Sequence, residues 1–187
     1  MEAKMSETYV RIYDNVFSDE LCDRLVAKFE ENKDNHQRVT AHKLGFTQLN
    51  FREAGWEEEQ NELVQIYVEQ AKRYAKDVGV TSEWPMKYAL EDIRLKKYFP
   101  NDLDEFGNHV DVDDNKSSTR FLVFFVYLDD NAGGATVFPK LGINSPCRKG
   151  SMLMFPPLWT HLHAGQKPVI KPKYMCGSYL HYVSKDF

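Results

Sequence analysis

The chain has 187 residues, of which 42% are apolar and 13% aromatic, enough for one substantial core but short for two independent ones. Charged residues make up 28% and are spread along its length with a net charge of −4, so there is no basic field of the kind that gathers nucleic acid or an anionic membrane. The three cysteines, Cys22, Cys147 and Cys176, are odd in number and widely spaced, which argues against a disulfide framework or a zinc ribbon and suits a reducing compartment.

The first half is helical in pattern. In FSDELCDRLVAKFEE, Ser18 stands at an N-cap position, Asp19 and Glu20 follow in the first turn, and Leu21, Leu25, Val26 and Phe29 recur at helical spacing. In WEEEQNELVQIYVEQAKRYAKDVG, Leu63, Ile66, Tyr67, Ala71, Tyr74 and Val78 form one stripe that stops at Gly79, a residue suited to a left-handed cap. From Glu83 the texture changes to short apolar or alternating runs, which predict strands near Ile93 to Phe99, Arg120 to Leu128, Ala135 to Phe138, Ser151 to Phe155 and Lys173 to Val183.

Helices followed by antiparallel strands imply an α+β fold in which the helices buttress a β-sandwich or jelly roll. The expectation is a single domain over 1–187, with helical support at about 16–80 and a β core at about 88–183. The N-terminal stretch lacks a signal-type apolar region, and no run approaches the roughly 18 apolar residues of a membrane span, so a cytoplasmic protein without membrane attachment is expected.

His109 and Asp111 in GNHVDVDD are separated by one residue, a spacing that in a strand projects both side chains from the same face. A third neutral imidazole would complete two histidines and one carboxylate, the set that holds Fe(II) while leaving coordination positions open. His161 and His163 in WTHLHAGQKPVIKPKY are the candidates. Asp113 shares the parity of Asp111, but it opens the polar run DDNKSS, which reads as a mobile loop and a poor support for a rigid ligand.

With RFLVFFVYLDDNAGGATVFPKLGINSPCRKGSMLMF joining these residues, the chain resembles the Fe(II)- and 2-oxoglutarate-dependent dioxygenases. The likeness runs from about Val16 to Tyr182 and is to the prolyl 4-hydroxylase-like branch, built on a double-stranded β-helix of the jelly-roll, cupin-like type. In that family the distal histidine is followed ten residues later by a basic residue that binds the far carboxylate of 2-oxoglutarate, usually with an aromatic next to it. Lys173 is followed by Tyr174 and Lys171 by Pro172, and proline neither donates to a β ladder nor leaves its predecessor free. The preferred pair is therefore His163 with Lys173, and His161 stays as the alternative ligand.

The resemblance implies His109, Asp111 and His163 as metal ligands, Lys173, Tyr98 and Thr136 as cosubstrate contacts, and Arg120, Phe106 and Tyr179 as substrate contacts. His181 matches a common histidine but is given no metal role. Tyr98 stands eleven residues before His109 where the family interval is nine, so the match needs an insertion in PNDLDEFG. Phe106 takes a place where relatives often carry tyrosine. The implied reaction is hydroxylation of a C–H bond with Fe(II), 2-oxoglutarate and dioxygen, releasing succinate and carbon dioxide, with ascorbate as a candidate reductant.

A prolyl residue in a peptide or protein is the substrate the resemblance favours, and a free amino acid or small metabolite is the alternative. A nucleic-acid demethylase would need clustered Lys and Arg that this charge balance does not supply. From another class comes a non-catalytic metal-binding β-sandwich module, because zinc accepts the same ligands. Lys173 separates the two classes, since a structural zinc site has no use for a cation behind it.

Overall fold

The computed structural model describes residues 8–101 and 103–184. In chain order it comprises β1 (Arg11–Tyr13), α1 (Asp19–Glu31), β2 (Gln37–Ala41), β3 (Leu44–Asn50), α2 (Glu57–Asp77), β4 (Tyr88–Leu90), β5 (Arg94–Tyr98), β6 (Phe106–His109), β7 (Arg120–Tyr127), β8 (Asn131–Phe138), β9 (Ile143–Cys147), β10 (Met152–Phe155), β11 (His163–Gly165) and β12 (Lys173–Tyr182).

Both expected helices form where their caps place them. The Ser18 side chain accepts a 3.2 Å hydrogen bond from the Leu21 N–H and closes the start of α1. At the end of α2, Gly79 has φ +74°, its N–H reaches the Lys76 carbonyl at 3.2 Å, and Val80 N–H reaches the Ala75 carbonyl at 2.9 Å. That is the Schellman pattern, which satisfies two otherwise unpaired carbonyls and needs a left-handed residue at the glycine.

The strands pair antiparallel in the order β1-β10-β7-β12-β5-β3-β6-β11-β8-β9, with β2 added to β3 and β4 to β12. The path folds over on itself where β3 meets β6 through the single pair Leu44 and Phe106, giving a nearly closed jelly-roll barrel with two helices. The expected double-stranded β-helix is the observed fold. No helix among the described residues is long and apolar enough to cross a membrane.

Strand alternation divides the core in two. Leu122, Phe124 and Val126 of β7, Leu95 of β5 and Cys176 and Leu180 of β12 face the helices and pack with Leu25, Phe29, Leu63 and Tyr67. Val123, Phe125 and Tyr127 point the other way, into the barrel with Phe138, Leu153 and Phe155. This explains why Arg120 to Leu128 reads as apolar on both faces: both are covered. Full burial of side chains of this size contributes about 1.5–3 kcal/mol each, so the helices hold the outer face of the sheet rigid behind the barrel. Tyr67 ties the layers together, its ring 4.6 Å from that of Phe124 and its hydroxyl donating to the Cys176 carbonyl at 3.3 Å.

The first half departs from the expected helix-only pattern, because β2 and β3 form a hairpin between α1 and α2. It supplies the strand next to β5, Leu49 pairing with Leu95. Also, β6 ends at His109, so Asp111 lies beyond the strand that was expected to carry both side chains. The DDNKSS run is a hydrogen-bonded turn: Asp114 Oδ1 accepts from the Ser117 N–H at 2.9 Å and from its hydroxyl at 2.8 Å.

Candidate active site

A small cavity inside the barrel, partly open to the outside, is lined by Tyr98, His109, Asp111, Thr136, His163 and Lys173 among others. His109, at the end of β6, and His163, at the start of β11, are paired across the ladder. Their ring centroids are 4.2 Å apart. Asp111 is brought back to them after β6 because its N–H and that of Val112 both donate to the Pro157 carbonyl at 3.1 Å.

The Nε2 atoms of His109 and His163 each lie 3.6 Å from the Asp111 carboxylate, on Oδ1 and Oδ2 respectively. One donor atom from each residue lies within 4.8 Å of the other two, a group that could hold a metal ion. Each imidazole is oriented from behind: His109 Nδ1 meets the Gly107 carbonyl at 2.8 Å and His163 Nδ1 meets the His161 carbonyl at 2.9 Å. A carbonyl only accepts, so Nδ1 carries the proton and Nε2 presents its lone pair to the centre.

Electrostatics keep the donors in the ligating state. Burial pushes the His163 imidazole down to about 4, leaving it neutral near pH 7. Burial acts to raise the Asp111 carboxyl, but the two imidazoles facing it and the Tyr179 hydroxyl outweigh it and hold the group below its ordinary value. Tyr179 donates to Oδ1 at 2.8 Å, whereas the buried Oδ2 has no hydrogen-bond partner among the described residues. A buried carboxylate oxygen without a donor is costly, and a cation at the centre of the donor set would satisfy it.

His161 is not in that donor group. Its ring Nδ1 is 2.8 Å from the Thr160 hydroxyl, and its carbonyl serves to orient His163. Asp113 is exposed and also outside the group, and His181, at the far end of β12, is 3.2 Å from the Tyr182 carbonyl through Nδ1.

Lys173 is 1% exposed. Burial pushes its ammonium down to about 8, and its nitrogen lies over the Tyr98 ring at 5.1 Å and the Tyr127 ring at 5.5 Å, with no carboxylate paired to it among the described residues. Tyr98 pairs directly with Lys173 across β5 and β12, and Thr136 lines the same cavity, its hydroxyl accepting from Tyr127 at 2.8 Å. The glycine pair in GGATVFP acquires a physical reason here. A Cβ on Gly134 would stand 2.8 Å from Lys173 Cδ, so the lysine stem needs that glycine to reach the cavity.

Within the long Tyr98 to His109 interval, Asp104 is tied down on both sides. Fully buried Asp104 accepts from the Phe99 N–H at 2.9 Å and from Arg38 Nη1 at 2.9 Å, so the added residues leave Tyr98 facing inward. Phe106 stacks flat on His109, with centroids 3.4 Å apart and planes at 2°. Arg120 does not line the cavity. Its Nε and Nη2 donate to Glu91 at 2.6 and 2.8 Å, and its guanidinium lies over the Tyr179 ring at 3.9 Å.

Residues 93–181 match the sequence model of the 2OG-Fe(II) oxygenase superfamily. This segment belongs to that superfamily. The oxygenase fold is also shared with solved structures. A viral collagen prolyl hydroxylase, vCPH from Paramecium Bursaria Chlorella virus-1, in complex with 2OG, is 20% identical with TM-score 0.68, over 95% of this chain and 97% of its own. A prolyl-4-hydroxylase of Pseudomonas putida is 13% identical with TM-score 0.65, over 95% of each chain. A Trichoplax adhaerens prolyl hydroxylase in complex with a hypoxia inducible factor peptide fragment is 12% identical with TM-score 0.72, over 93% of this chain and 84% of that one. No curated protein sequence matches.

Fe(II) and 2-oxoglutarate are the cofactors of the oxygenase family, and the donor set at His109, Asp111 and His163 is compatible with that metal. The cavity also contains a residue that sequence reasoning passed over. Lys96, two residues before Tyr98 and of the same strand parity, lines it together with Val123, Phe125 and Met175.

Proposed function

We propose that the protein is a 2-oxoglutarate-dependent hydroxylase in which His109, Asp111 and His163 hold Fe(II) and Lys173 binds the far carboxylate of 2-oxoglutarate. One observation carries this reading: a buried ammonium with no anionic partner among the described residues shares a cavity with a three-donor cluster whose Asp111 Oδ2 is unsatisfied. A buried cation needs a counter-charge, and a non-catalytic zinc module would leave Lys173 without one.

In this reading His109, Asp111 and His163 would hold the metal at the wall of the cavity. Iron and 2-oxoglutarate, when bound, supply the oxidising power that places one oxygen atom of O2 on a C–H bond, with succinate and CO2 released. Lys173 fixes the keto-diacid at one end, Tyr179 holds the carboxylate ligand in place, and Phe106 covers the His109 ring. The apolar inner wall of Val123, Phe125 and Met175 limits water at the reacting carbon.

The substrate we favour is a prolyl residue in a peptide or protein, supported by the prolyl hydroxylases among the similar structures, one of which carries a peptide. A free amino or imino acid is the second reading, favoured by the extra cation Lys96 in the cavity. Anaerobic titration with Fe(II) and 2-oxoglutarate tests the first step through the visible absorption band of the metal-bound chelate, and no band from folded protein rejects it. Mass spectrometry for a gain of one oxygen on proline-containing peptides tests the second, and an unmodified peptide pool alongside a hydroxylated free amino acid reverses the choice.

A further inference from the structure

The inner face of β5 carries Arg94, Lys96 and Tyr98, because Leu95 is buried in the helix-side core and Lys97 reaches out to Glu30 at 2.7 Å. Lys96 therefore points into the barrel, beside Met175 on β12. Its ammonium lies over the Phe46 ring at 4.7 Å and the Phe106 ring at 5.7 Å, and Phe106 is the ring stacked on His109. The lysine thus stands one aromatic layer away from the candidate metal ligands.

Neighbouring cations in this part of the fold have partners. Lys97 pairs with Glu30, Arg120 with Glu91, Arg38 with Asp104 and Arg52 with Asp92. Lys96 has no hydrogen bond or ion pair among the described residues, and the negative group acting most on it is Asp111. On the reading above, Asp111 is committed to Fe(II). The ferrous ion, Asp111, the 2-oxoglutarate dianion and the Lys173 ammonium together are neutral, so Lys96 is left as one positive charge facing the space where substrate must lie. Two aromatic faces soften the desolvation of an ammonium without cancelling its charge.

We propose that Lys96 binds a carboxylate of the primary substrate. The protein then selects substrates with an anionic group beside the hydroxylated carbon, either an acidic residue next to the target in a peptide or the α-carboxylate of a free imino acid. Lys173 and Lys96 divide the work: the buried lysine takes the cosubstrate and the lysine nearer the ring stack takes the substrate. This inference rests on the proposed hydroxylase function.

The test is binding, without turnover, to protein loaded with Mn(II) and the unreactive 2-oxoglutarate analogue N-oxalylglycine. Matched probes differ only in the charge at issue: N-acetylproline against N-acetylprolinamide, free proline against prolinamide, and an end-capped Glu-Pro-Gly peptide against Gln-Pro-Gly. Calorimetry should show at least one carboxylate probe binding more tightly than its neutral counterpart. That preference should fall by about tenfold or more in Lys96→Met and be partly kept in Lys96→Arg. Which pair shows it separates an acidic peptide from a free imino acid.

No carboxylate preference in the wild-type protein, or one that persists in Lys96→Met, overturns the inference. N-oxalylglycine binding is read in every variant as the control on fold and site. If Lys96→Met loses the analogue as Lys173→Ala is expected to, Lys96 holds the cosubstrate and the assignment fails. If the wild-type protein does not bind the analogue at all, the hydroxylase reading fails with it.

Discussion

Tyr179 and Asp111 are joined by a 2.8 Å hydrogen bond that reaches from β12 to the segment beyond β6 and holds carboxylate Oδ1, leaving Oδ2, which faces His163, without a hydrogen-bond partner among the described residues. Arg120, lying over the Tyr179 ring and paired with Glu91, keeps the tyrosine in position. The carboxylate beyond the end of a strand is therefore held by a side chain 68 residues later in the chain.

Removing that hydroxyl should loosen the metal site without unfolding the barrel. Tyr179→Phe keeps the ring against Arg120, and partners of this kind typically cost about 10- to 100-fold in metal affinity or activity when lost. Mn(II) titration of the folded variant checks it, and wild-type affinity would show that the hydrogen bond does not orient Asp111.

The two histidines should behave differently. His163→Ala removes a donor and should abolish Fe(II) binding and the visible band with 2-oxoglutarate. His161→Ala keeps the backbone carbonyl that orients His163 and should retain both. Parallel metal titrations decide, and the reverse pattern would show that the third donor has been misassigned.

Binding of 2-oxoglutarate should depend on pH through Lys173. Burial lowers its ammonium to about 8, and a bound carboxylate favours the charged form and raises it again. The charged form is present below about 8, so affinity is full there. As pH rises above that value it should fall by up to about tenfold per unit until the value in the complex is reached. Calorimetry across that window with N-oxalylglycine tests the slope, and Lys173→Met should abolish it.

Asp104 should contribute stability that depends on acid. Burial alone would raise its carboxyl, but Arg38 and the Phe99 N–H hold it below the ordinary range. Its contribution is therefore present above the unfolded value near about 4 and lost as pH falls through the lower folded value. Asp104→Ala leaves the Phe99 N–H without its acceptor and should cost about 1–3 kcal/mol near neutral pH. Urea unfolding at several pH values measures this, with the difference from wild type shrinking at the acid end.

The helices were legible because their signals are local: a capping hydroxyl at Ser18, an apolar stripe and a glycine at Gly79 all act within a few residues. The main β core strands were legible through alternation and β-branched or aromatic content, apart from their ends. The β2–β3 hairpin, Gln37 to Asn50, was missed because much of it is polar and its role comes from pairing with β5, some fifty residues later in the chain. The altered loop between Tyr98 and His109 could be recognised as an insertion, but its tether to Arg38 comes from a distant strand.

The amino-acid sequence by itself determined the chemistry at hand: two histidines, a carboxylate and a lysine at spacings that suit a metal and a keto-diacid, on a chain patterned for a jelly roll. Only the tertiary structure decided which side chains face one another. His161 and His163 have the same strand parity, and so do Lys96 and Tyr98, so pleating cannot choose among them. The choice depends on which backbone carbonyl orients each ring and which cations find a carboxylate across the barrel, contacts made between residues far apart in sequence.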